Sequence, residues 1–157
     1  MKAVQWVRWL ILALFVTALV AGIIYMQSRA PSEQDSGFLR KAAMFASHAE
    51  SAHWQWAAEG RPDRILLLLF DERGIERDRR PVAMSPEGWP VAERSNQGCA
   101  RLWQQVIGEA PRMNQQRIRT EYIGPDDPDQ SDLGGCRYAV SMGPSFTYDM
   151  NTGKVTR

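Results

Sequence analysis

The sequence predicts an α+β protein: an N-terminal transmembrane helix, then an amphipathic helix packed on an antiparallel β-sheet. Three observations predict it. Trp9–Met26 (WLILALFVTALVAGIIYM) runs eighteen residues without a charge. Phe38, Ala42, Phe45, Ala49, Ala52 and Trp56 recur at spacings of four and three, which is one face of a helix. Beyond them come short apolar or alternating runs separated by Gly, Pro, Asn and Asp turns, which make an antiparallel sheet needing its apolar face covered.

The N-terminal block is read as a membrane anchor occupying residues 1–26. Eighteen helical residues span about 27 Å, close to the hydrocarbon thickness of a bilayer. Its lipid-facing residues are Trp9, Leu10, Ile11, Leu12, Leu14, Phe15, Val16, Leu19, Val20, Ile23 and Ile24, with Trp6, Trp9 and Tyr25 at the levels where amphipathic rings favour the interface. A cleaved signal peptide is the competing reading. Its apolar core would be long for that class, and the small-residue site Ser28-Arg29-Ala30 is followed at once by Pro31. Lys2 and Arg8 favour a cytoplasmic N-terminus, although Arg29, Arg40 and Lys41 follow the other end.

Residues 27–37 (QSRAPSEQDSG) form a polar linker in which Pro31 and Gly37 oppose a continuous helix and Ser36 can cap the next one. The domain is then 38–157. Its first helix stops at Gly60, with Pro62 beyond. Ile65–Phe70 (ILLLLF) reads as a buried strand, Arg79–Met84 as a weaker one with Pro81 at its edge, and 85–90 as a turn whose Trp89 pins it to the core. Leu102, Trp103, Val106 and Ile107 define a short helix from Cys99 to Ile107, ended by Gly108. Gln116–Ile123 alternates with Ile118, Thr120 and Tyr122 on one side. Cys136–Met142 and Ser145–Asp149 are strands, and a turn at 150–153 leads into Lys154-Val155-Thr156.

Composition excludes several functions. The chain carries 19 Lys+Arg against 18 Asp+Glu; Lys2 and Arg8 precede the apolar block Trp9–Met26, so the remainder holds 17 against 18 and has no electrostatic footprint for nucleic acid. His48 and His53 lie five apart on the long helix, pointing about 140° from one another, and cannot chelate one metal from one face. No Ser/His/Asp arrangement or phosphate-binding glycine loop is present, so no catalytic residue, cofactor or small-molecule substrate is expected. Asp126, Asp127, Asp129 and Asp132 crowd one loop. Asp127-x-Asp129-x-Ser131 opens like a calcium loop but lacks the glycine at the sixth place and the closing glutamate, so a solvated loop is the better reading. Cys99 and Cys136 lack the tight spacing of zinc or redox motifs. Outside the cytoplasm they read as one disulfide closing a long loop, with two buried thiols as the alternative. Trp54 falls off the helical stripe, either as a contact surface or under a loop.

An N-terminal membrane helix, an amphipathic helix and an antiparallel sheet with a late cysteine pair resemble type IV pilins and type II secretion pseudopilins. Cys136-Arg137-Tyr138, Phe146-Thr147-Tyr148 and Asn151-Thr152-Gly153-Lys154-Val155 are similar to the closing strands of pilin-like proteins. Trp56–Pro62 (WAAEGRP), Met84–Pro90 (MSPEGWP) and Cys99–Gly108 (CARLWQQVIG) resemble accessory proteins of the mannose-sensitive haemagglutinin (MSHA) pilus. One departure stands out: pilins are cut after a glycine ahead of their membrane helix and carry a glutamate at the fifth mature position. Here no such site precedes the anchor and no glutamate lies within it.

The resemblance implies a single-pass protein of the bacterial inner membrane with a periplasmic pilin-like domain. Its expected role is that of a non-catalytic accessory in pilus biogenesis, with pilins or pilus assembly proteins as partners. A membrane-tethered periplasmic enzyme and an envelope binding protein unrelated to pili are the alternatives.

Overall fold

The computed structural model describes residues 2–29, 33–70, 73–113, 115–125 and 132–157, with side chains defined at 5–25 and from 35 onward. Two compact units result, 1–32 and 33–157. The first is one helix, α1 (Lys2–Arg29). Within it Gln5–Tyr25, 21 residues, is long and apolar enough to cross a membrane as an anchor, and such a helix near an N-terminus also suits a signal sequence.

The second unit is α+β. Helix α2 (Glu33–Ala58) precedes a hairpin of β1 (Arg64–Phe70) and β2 (Glu76–Ala83). Helix α3 (Asn96–Ile107) follows, then a short hairpin of β3 (Arg112–Met113) and β4 (Gln116–Arg117). The chain closes with β5 (Arg119–Ile123), β6 (Gly135–Ala139), β7 (Ser145–Asp149) and β8 (Val155–Thr156), an antiparallel sheet in sequence order.

All six stripe residues of α2 are buried, and together they serve two cores. Phe38, Ala42, Phe45 and Ala49 pack with α3 and the four-stranded sheet, against Leu102, Trp103, Tyr138, Phe146 and Tyr148. Ala52 and Trp56 pack on the first hairpin, against Ile65, Leu67, Leu69, Val82 and Met84. Phe45 is the hub of the larger core: its ring lies 5.0 Å from Tyr148, 5.6 Å from Tyr138, 5.8 Å from Phe146 and 6.3 Å from Trp103. Small alanines between the aromatic positions let the helix lie close to both sheets.

Helix ends show where local signals act and where they are overridden. Helix α2 starts at Glu33, so Ser36 and Gly37 lie inside it and the polar linker expected over 27–37 is largely helical. A single interior glycine costs about 1 kcal/mol relative to alanine, too little to break a helix held by a long buried face. The end falls as expected: Gly60 adopts φ 87° and the Arg61 amide reaches back to the Trp56 carbonyl at 2.9 Å. Helix α3 begins at Asn96, three residues before Cys99, because the Ser95 hydroxyl accepts from the Gly98 amide at 2.9 Å.

Three strand expectations change. The ILLLLF run is buried on one face only: Ile65, Leu67 and Leu69 are buried, whereas Leu66 and Phe70 are 52% and 59% exposed. A two-stranded hairpin covered by one helix leaves its other face in solvent. The stretch 116–123 is divided at Ile118, which is buried while β4 turns back to β3 and β5 joins the main sheet. The strand expected through Met142 ends at Ala139, where a turn bonds the Gly143 amide to the Val140 carbonyl at 3.1 Å. Ser145–Asp149 pairs along its whole length with β6.

Candidate functional surface

The residues picked out from sequence fall into separate places. Trp9, Leu10, Ile11, Leu12, Leu14, Phe15, Val16, Leu19, Val20, Ile23 and Ile24, the residues expected to face lipid, all lie on α1 and are exposed. Cys99 of α3 and Cys136 of β6 form a disulfide with Cα atoms 5.6 Å apart, closing a separation of 37 residues. In the chain-entropy picture such a loop stabilises by about 4 kcal/mol. Asp127 and Asp129 lie outside the described residues, with Asp126. Asp132 is engaged structurally: its Oδ1 accepts from the Gly134 amide at 2.7 Å and from the Asn151 side-chain amide. Among the described residues no three His, Cys, Asp or Glu side chains gather within ligating reach.

Both histidines serve as struts between α2 and neighbouring segments. Because a carbonyl can only accept, each Nδ1 donates: His48 to Val106 O at 2.7 Å and His53 to Gly88 O at 2.9 Å. The His53 ring also stacks on Trp89, 4.2 Å between centroids and 14° between planes. Gly88 is in the left-handed region at φ 84°, and a Cβ there would sit 2.3 Å from the Trp56 ring, so the turn is built for close approach to α2. Trp54 sits edge-on to the His53 ring, 5.6 Å between centroids, and is 66% exposed, so it does not lie buried under a described loop.

Two grooves flank the helices. One, about 380 Å³, lies between α2 and the free edge of β1, where the Gln55 side-chain amide donates to Leu66 O at 2.6 Å and accepts from Leu68 N at 3.0 Å. Gln55 thereby satisfies part of an edge that pairs with no further strand among the described residues. The other, about 550 Å³, lies between the outer face of α3 and the β3–β4 hairpin. Gln97, Ala100 and Gln104 form its α3 wall, Ile118 lies at its base, and Arg112 and Arg117 stand across from α3. Those arginines are direct cross-strand partners, and none of the residues lining the groove is acidic. Sequence reading missed this feature, because a two-residue strand leaves no periodic signal and the arginines meet only through the antiparallel pairing of β3 with β4.

Buried tyrosines complete the domain's polar framework. Tyr138 donates to Cys99 O at 3.0 Å and Tyr148 to Pro90 O at 3.0 Å. Burial pushes both phenols well above the ordinary tyrosine range, with a further electrostatic contribution from Tyr148 at Tyr138 and from Asp149 at Tyr148.

No protein-family model, no curated protein and no solved structure matches this chain.

Proposed function

We propose that this protein is a non-catalytic accessory factor of type IV pilus biogenesis, of the MSHA kind, held in the bacterial inner membrane by α1 with its domain in the periplasm. The observation that carries the reading is the helix-on-sheet unit behind an apolar N-terminal helix. One helix, α2, covers an antiparallel sheet through an aromatic and alanine stripe, and a disulfide ties the late strand β6 to α3. That arrangement is what a domain shaped to meet pilins would share with them. A disulfide of this kind suits an oxidising compartment, which supports the periplasmic placement, and Lys2 and Arg8 ahead of the apolar span support a cytoplasmic N-terminus.

The role is accessory rather than fibre-forming because the apolar span Trp9–Met26 holds no glutamate to pair with a neighbouring subunit. Exposed Trp54, Leu66 and Phe70 provide apolar anchors for protein contact. The test places a photo-crosslinking residue at Trp54 of the full-length protein in cells and identifies captured proteins by mass spectrometry. Pilins or inner-membrane pilus assembly proteins are expected. Recovery of unrelated envelope proteins alone overturns the reading.

A further inference from the structure

The groove between α3 and the β3–β4 hairpin has a charge pattern that the domain itself does not use. Arg112 and Arg117 oppose each other directly across the hairpin, a like-charge pairing that costs stability, and both side chains are exposed. Neither forms an ion pair among the described residues, and Glu109, three residues before Arg112, is engaged by Lys41 at 2.5 Å. The facing wall is neutral and amide-rich. Gln97 and Gln104 lie seven residues apart on one face of α3, both exposed, with the small Ala100 between them. Asn96 Oδ1 is occupied by the Tyr122 amide at 2.8 Å, which fixes its orientation and leaves its NH₂ group to donate.

We infer that this groove binds an extended acidic segment of a protein partner. Guanidinium groups pair with carboxylates in a forked geometry that ammonium groups do not match. Side-chain amides both donate and accept, which matches the alternating N–H and C=O groups of an extended peptide and distinguishes it from a phosphate or a lipid headgroup. The seven-residue span of the α3 wall is about 10 Å, room for roughly three extended residues. Their carboxylates would remove the mutual repulsion of Arg112 and Arg117. The inference does not rest on the pilus reading, since it concerns the chemistry of the ligand and not the partner's identity.

The experiment uses full-length protein in nanodiscs of zwitterionic lipid and a hexa-aspartate peptide carrying an uncharged dye, followed by fluorescence anisotropy. Binding is expected at about 20 mM salt and should weaken steeply by about 300 mM, as screening requires. Replacing both arginines (Arg112→Gln with Arg117→Gln) is expected to weaken binding at least about tenfold while the melting temperature holds or rises. Replacing Arg137, which lies on the outer face of the main sheet, by Gln is expected to leave binding within about twofold. Replacing Gln97 and Gln104 by Ala is expected to weaken binding without changing its salt dependence. Equal binding by the arginine double variant, equal loss on Arg137→Gln, no effect of the glutamine changes, or competition by sulfate at the peptide's own concentration would each overturn the inference.

Discussion

The Tyr138 hydroxyl donates a 3.0 Å hydrogen bond to the carbonyl oxygen of Cys99, the residue whose sulfur is bonded to Cys136 two positions earlier on β6. Helix α3 is therefore held to the central sheet twice through one residue, covalently by its side chain and by hydrogen bond through its backbone. Both partners are fully buried, so each attachment is made in a low-dielectric interior where a lost bond is not replaced by water.

Removing either attachment should be measurable and the two should be coupled. The Cys99→Ser, Cys136→Ser pair is expected to lose about 3–4 kcal/mol of stability. Tyr138→Phe is expected to lose about 0.5–1.5 kcal/mol, the net worth of one hydrogen bond, since the Cys99 carbonyl lies inside α3 and keeps its helical donor. Urea titration of the single, double and combined variants reads the coupling. Strict additivity would show that the two attachments act independently.

Phe45 and Trp54 lie on the same helix with opposite expected sensitivities. Phe45 is fully buried against four aromatic rings, so Phe45→Ala should cost about 3–5 kcal/mol through the cavity it leaves. Trp54→Ala, at a 66% exposed position, should change stability by about 0.5 kcal/mol or less. Paired thermal melts decide it, and a large loss at Trp54 would contradict the packing described.

The Gly88 turn should be intolerant of a side chain. Alanine there must adopt φ 84° and bring its Cβ to within 2.3 Å of the Trp56 ring. Gly88→Ala is expected to destabilise by about 1–3 kcal/mol and to loosen the His53–Trp89 stack. Tryptophan fluorescence and a melt of the same sample report both effects. Wild-type values for each would show that the turn is not strained.

Stability should fall at both ends of the pH scale for different reasons. Asp149 is partly desolvated, which opposes ionisation, but hydrogen bonds from Thr152 and Asn151 outweigh that and hold its carboxyl below the usual range. Its contribution is therefore present above the unfolded carboxylate value and is lost as pH falls through the lower folded one. Asp149→Asn should flatten the acid limb of a stability–pH profile below about pH 4. Tyr138 and Tyr148 are displaced upward by burial, so the folded state keeps both neutral where the unfolded chain ionises. Their contribution is complete below about pH 10 and is lost as pH rises beyond it. Absorbance titration should show two phenols ionising only together with unfolding.

Local chemistry determined a good part of this protein from sequence alone. The apolar block of α1, the Phe38-to-Trp56 stripe, the Gly60 stop and the Ser145–Asp149 strand all depend on period, composition or one backbone conformation, which are written within a few residues of where they act. The even cysteine count raised the prospect of a bridge between Cys99 and Cys136, but only packing α3 on β6 brings their Cα atoms to 5.6 Å. The two-strand limit of the first hairpin, which exposes Leu66 and Phe70, was likewise decided by tertiary structure. So were the division at Ile118 and the meeting of Arg112 with Arg117. Each depends on which segments lie beside one another, and neighbours across a fold are chosen by the total surface the chain can bury, a quantity no short window of sequence contains.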